Sequence, residues 1–92
     1  MSTLVIQIGN SDDKLSQYAW SEFIVDIRRA LFANCQRIHF AGGSNPAERW
    51  QNYCFVAEHY GDLAPLKDTL ASIRKTYSQD SVALTIGETE FI

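Results

Sequence analysis

WQNYCFVAEH, residues 50–59, is the longest run of aromatic and β-favouring residues in the chain. It reads as a strand at the centre of a sheet. Before it, Leu4, Ile6 and Ile8 alternate with Thr3, Val5 and Gln7, the period of two that a strand shows when one face meets a core. The first strand is thus predicted over residues 3–8. Trp20, Phe23, Ile24, Ile27 and Leu31 then recur at spacings of three and four, an apolar stripe that predicts a helix over residues 17–33. Ser16 is its expected N-cap, Leu15 is placed to pack on Trp20 as a hydrophobic staple, and Asn34 is its expected left-handed stop. In residues 37–41 the spacing sets Ile38 and Phe40 on one face of a strand and Arg37 and His39 on the other.

Residues 42–48, GGSNPAE, gather Gly-Gly and Asn-Pro, a flexible connection longer than a tight hairpin turn. After the central strand, Gly61 breaks the backbone and Asp62 caps a second helix, with Pro65 in its first turn, where a missing amide proton costs nothing. Leu66, Leu70, Ile73 and Tyr77 form the buried stripe of that helix, residues 63–77. Val82, Leu84 and Ile86 mark a last strand, and residues 87–92, GETEFI, follow with two acids and two apolar side chains that look exposed.

The order is therefore strand, helix, strand, strand, helix, strand over one domain, residues 1–92. It is the ferredoxin-like βαββαβ sandwich, an α+β fold with a four-stranded antiparallel sheet ordered 4-1-3-2 and both helices on one face. The other face is left uncovered in a single copy. Val5, Gln7, His39, Ala83 and Thr85 are expected on it, joined by either Tyr53, Phe55 and Ala57 or Cys54 and Val56. The aromatic alternative would leave a large apolar area in water and so favours a homodimer or a partner protein.

Composition excludes several functions. Eight basic residues against eleven acidic ones give a net charge of −3, a weak attractor for a phosphate backbone, so nucleic acid is an unfavoured partner. Apolar runs are too short for a membrane span, and the first ten residues lack a basic segment and cleavage pattern, which points to the cytoplasm. Cys35 and Cys54 have no metal-ligand spacing and are expected to be reduced. His39 and His59 have no orienting partner in sequence, and no serine lies in a nucleophile context, so no catalytic residue is assigned. Asn10, Asp12 and Asp13 could hold a hard cation, but turn formation and helix N-terminal charge account for them, and no metal or cofactor is expected. Gly42-Gly43-Ser44 lacks the Lys-Ser/Thr pair and following helix of a phosphate loop.

Tyr53 and Phe55 have the placement of a base-stacking platform, but without the basic, glycine-rich neighbours that RNA binding needs. Trp50, Gln51 and Asn52 combine an aromatic body with amide donors and acceptors, which suits a ligand or a protein hot spot. The binding candidates are then Trp50, Asn52, Tyr53, Phe55, His39 and Gln7, with Asp12, Asp13, Glu88 and Glu90 as acids that steer a basic partner.

Three stretches, IQIGNSDDKLSQYAW at 6–20, WQNYCFV at 50–56 and YSQDSVALTIGETEFI at 77–92, resemble a group of small uncharacterised proteins of phages and phage-bearing bacteria. They cover a little under half of the chain. The resemblance implies a phage accessory protein that binds and blocks a host defence protein. Small ferredoxin-like enzymes such as acylphosphatases match poorly, because Asn10-Ser11-Asp12-Asp13 supplies no phosphate-cradling Arg. The expectation is a non-enzymatic module that binds a host protein, or its own copy, through the open sheet face and the Trp50 edge. The alternative is a dimeric small-molecule protein or small enzyme with a pocket between sheet and helices near His39, Asn52 and Trp50.

Overall fold

The computed structural model describes residues 1–45 and 48–92. Pro46 and Ala47, within the expected 42–48 connection, lie outside the described residues. The chain runs β1 (Ser2–Gly9), a 3-10 turn (Ser11–Asp13), α1 (Gln17–Asn34), β2 (Arg37–Gly43), β3 (Asn52–His59), α2 (Ala64–Thr76) and β4 (Ala83–Glu88). The sheet is ordered β2-β3-β1-β4 and every pairing in it is antiparallel. This is the ferredoxin-like arrangement, with β1 and β3 in the middle.

The core forms where the two periodicities meet. Leu4, Ile6 and Ile8 from β1 are buried with Phe55 from β3, against Trp20, Phe23, Ile27 and Leu31 of α1 and Leu66 and Leu70 of α2. Each such side chain removed from water contributes about 1.5–3 kcal/mol. The Ser16 hydroxyl caps α1 by accepting from the Ala19 amide at 3.1 Å. Asp62 accepts from the Ala64 amide at 3.0 Å, so it supports the start of α2 from one residue before the cap. Asn34 does not leave the helix through a left-handed turn: α1 ends on Cys35 in extended conformation, and the Asn34 side chain donates back to the Ala30 carbonyl at 2.8 Å.

The structure settles which face of β3 is buried. Phe55, Ala57 and His59 point into the core side, and Tyr53 packs partly buried beside them. Cys54, Val56 and Glu58 face the uncovered side, paired across β1 with Gln7, Val5 and Thr3. Tyr53 and Phe55 therefore leave the list of residues on the open face.

Strand β2 departs from simple alternation. Ile38 pairs with Ala57 but Phe40 pairs with Val56, with a bulge at His39 between them. One inserted residue reverses the phase of all that follow, so Phe40 joins Val56 on the uncovered face, although the alternation set it beside Ile38. Gly43 permits the close approach that ends β2: a Cβ there would lie 2.2 Å from the Asn52 carbonyl oxygen.

Candidate functional site

β1 ends, and β3 and β4 begin, at the same end of the sheet, so three loops meet there. They carry all the non-glycine residues with positive φ among the described ones: Asp12 (55°), Asp13 (52°), Trp50 (54°) and Ser78 (54°). Asp tolerates this conformation because its short side chain bonds locally. For a residue as bulky as Trp it is an outlier that the surroundings must hold in place. This also corrects the sequence reading of residues 50–59 as one strand. β3 starts only at Asn52, and Trp50 and Gln51 belong to the loop.

Three buried amide side chains hold the loops. Asn10 is 2% exposed; its Oδ1 accepts from the Leu15 amide at 2.9 Å and its Nδ2 donates to the Leu15 carbonyl at 3.1 Å. Its backbone amide donates to the Gln51 carbonyl at 2.8 Å. Gln51, equally buried, donates from Nε2 to Gln17 Oε1 at 2.8 Å. Gln79 Oε1 accepts from the Ser11 amide at 2.8 Å, while its Nε2 donates to the Tyr77 carbonyl at 3.0 Å. Lys14 Nζ donates to the Ser78 carbonyl at 2.8 Å, and the Trp50 amide donates to Asp13 Oδ1 at 3.1 Å. The bonds of the buried Asn10, Gln51 and Gln79 side chains favour one arrangement, because breaking one of them leaves a buried polar group unpaired, and the Lys14 and Trp50 bonds add to it at the exposed surface.

The result is that Trp50 stands 60% exposed on a rigid support. Beside it a cleft of about 240 Å³ opens on the uncovered face, lined by Gln7, Asn10, Ser11, Asn52, Ser81 and Ala83 among others. Three residues singled out from sequence, Trp50, Gln7 and Asn52, are thus brought together. His39 is on the same face but several residues along the strands, where its Nε2 lies 2.9 Å from Glu58 Oε2. Phe40, 55% exposed, sits between these two regions with its ring over Gly42.

The remaining candidates are elsewhere. Phe55 is fully buried in the core. The Tyr53 hydroxyl accepts from Arg28 Nη2 at 3.2 Å on the helix side, and the Arg28 guanidinium lies 5.8 Å from the Phe55 ring centre. His39 and Asn52 face the uncovered side and Trp50 lies in a loop, so these three do not line a pocket between sheet and helices, where the core fills the space beside β3. The four acids do not form one patch: Asp13 bonds the Trp50 amide, with Asp12 next to it in the chain, whereas Glu88 pairs with Ser2 at the opposite end of the sheet, with Glu90 beyond it. Asp13 and Asn10 already spend oxygen atoms on backbone amides, and no cluster of three His, Cys, Asp or Glu residues occurs among the described residues. Both cysteines are free, and burial raises the Cys35 thiol above its ordinary pKa.

Sequence reasoning missed Gln79 and the structural role of Asn10. A loop glutamine carries no local mark of burial, and its partner Ser11 is 68 residues away in the chain. Comparison with family models finds no match, and comparison with curated proteins finds none either. No helix among the described residues is long and apolar enough to cross a membrane.

Proposed function

We propose that the chain is a non-enzymatic interaction module that docks a partner protein on Trp50 and the adjoining uncovered sheet face. The observation that supports this reading is the presentation of Trp50: a large exposed aromatic side chain kept at φ 54° by Asp13 and the loop network. An aromatic anchor whose position is fixed beforehand loses little entropy on binding, which is how a few side chains come to dominate an interface. Phe40, Val56 and Val5 extend the apolar surface away from it, and Gln7 and Asn52 offer amide groups at its edge. Asp12 and Asp13 beside Trp50 favour a partner with a basic rim. Glu88 and Glu90 lie at the other end of the sheet, away from Trp50.

The resemblance of residues 6–20, 50–56 and 77–92 to phage-associated proteins supports a partner from the host, blocked by occlusion of its surface. On this reading the protein acts in the cytoplasm as an accessory protein that blocks a host defence protein. Its test is affinity for a partner isolated with the wild-type chain. Trp50→Ala should weaken binding by about 2 kcal/mol or more, roughly thirtyfold, in a protein with unchanged circular dichroism. Unchanged affinity in the folded variant would remove Trp50 from the interface.

The cleft beside Trp50 supports a second reading, a site for a small polar molecule held by Gln7 and Asn52. At about 240 Å³ it is smaller than the roughly 300–1,000 Å³ usual for ligand pockets, which is why protein docking is preferred. A rise in melting temperature with a metabolite, abolished by Asn52→Ala, would favour the small molecule.

A further inference from the structure

The two edges of the sheet are not alike. Edge strands present unpaired backbone groups, and proteins blunt them with bulges, proline, lysine or a covering element. The β2 edge carries the His39 bulge. Among the described residues the β4 edge has none of these devices: ALTIGE pairs with β1 without interruption from Ser2–Glu88 to Gln7–Ala83, and no strand pairs with its other side. Nor does α2 close over it. A groove of about 490 Å³ separates helix from strand, lined among others by Lys67, Leu70, Arg74, Val82, Leu84 and Ile86. Ile86 is 48% exposed there, and Phe91 and Ile92 in the segment after β4 are also exposed.

We propose that a second copy of this chain occupies this edge, β4 pairing with β4 about a twofold axis so that residues 89–92 of each copy lie along the groove of the other. The alternation of the strand sets which residues share a face, and the register centred on Ile86 is chosen because it covers that exposed side chain. Leu84 and Ile86 pair with the buried Ile6 and Leu4, so even-numbered residues face the helices. An antiparallel twofold pairing keeps opposed residues on one face. Centred on Ile86, it sets Ile86 against its own copy, Glu88 opposite Leu84, Glu90 opposite Val82 and Ile92 opposite Asp80. The exposed isoleucines are thereby covered, and Glu88 and Glu90 come over a groove whose rim carries Lys67 and Arg74. Asp80 is the one acid on that rim. Arg74 Nη1 also donates to the Gln79 carbonyl at 3.1 Å, which fixes its position at the groove. The pairing involves a surface separate from the Trp50 cleft and leaves the uncovered face of both copies open to a partner.

Sedimentation over a concentration series tests this, with circular dichroism to verify folding of each variant. The wild-type chain should dimerise, and Ile86→Lys should weaken the dimer at least about tenfold. Lys67→Glu and Glu90→Lys should each weaken it about two- to fivefold, and their combination should restore it, because the exposed ion pair is reversed rather than removed. A wild-type chain that stays monomeric would overturn the proposal. So would a dimer that tolerates Ile86→Lys but is broken by Val56→Lys on the uncovered face, or a double variant no tighter than either single one.

Discussion

Trp50 holds two properties in tension. Its ring is free for contact while its backbone occupies a conformation that costs an L-residue roughly 1–2 kcal/mol. Trp50→Gly and Trp50→Ala remove the same ring, and glycine accepts φ 54° without strain. Chemical denaturation should find Trp50→Gly more stable than Trp50→Ala by about 1 kcal/mol, although both lose binding. Tyr77 offers a different residue-scale test. Its hydroxyl donates to Asp26 across the two helices, and burial first, then that bond and the nearby negative charges, raise its pKa from 10.0 to about 12. The folded state therefore keeps a proton that the unfolded chain releases above pH 10. Stability from this link is complete below pH 10 and is lost as pH rises toward 12. Denaturation midpoints followed through that window should fall in the wild type and stay flatter in Tyr77→Phe.

At the scale of elements, the strands and helices were legible because their signals are local: alternation in β1 and β4, and apolar spacings of three and four in α1 and α2. What failed was phase. A bulge adds one residue without changing composition, so nothing in RIHFAGG marks His39 as the extra one. In β3 both faces carry apolar side chains, Tyr53, Phe55 and Ala57 on one and Cys54 and Val56 on the other, and only packing chooses between them. Residues 50–51 look like strand by propensity and are taken out of it by bonds to Asp13, Asn10 and Gln17, contacts that no local pattern encodes. The end of β2 gives a sharp test. A methyl at Gly42 meets the Phe40 ring tip at 2.9 Å, which can swing away, whereas at Gly43 it meets the Asn52 backbone oxygen at 2.2 Å. Gly43→Ala should cost about 1–3 kcal/mol by urea denaturation and Gly42→Ala clearly less.

Across the whole molecule, the fold divides its surface by task. One face of the sheet is closed by helices, and the other carries Phe40, Val56, Val5 and Gln7 in the open. The loops at one end fix Trp50, and the free β4 edge and its groove lie along one side. Of the candidate site, the sequence showed Trp50, Asn52 and Gln7, because aromatic and amide residues at a sheet entrance stand out by type. It could not show Asn10, Gln51 and Gln79 acting as one unit, since burial joins them only after folding. Asn10→Ala would leave the Leu15 amide and carbonyl without their partner. It should lower stability by about 1–3 kcal/mol and, in proteolysis or hydrogen exchange, loosen all three loops together. The central claim is that Trp50 is the docking anchor. It is tested most directly by fluorescence, because the other tryptophan, Trp20, is 5% exposed in the core. In a Trp20→Phe chain, adding the isolated partner to saturation should shift Trp50 emission to the blue and shield it from acrylamide. A Trp50 that remains as open to the quencher in the complex as in the free chain would contradict the account.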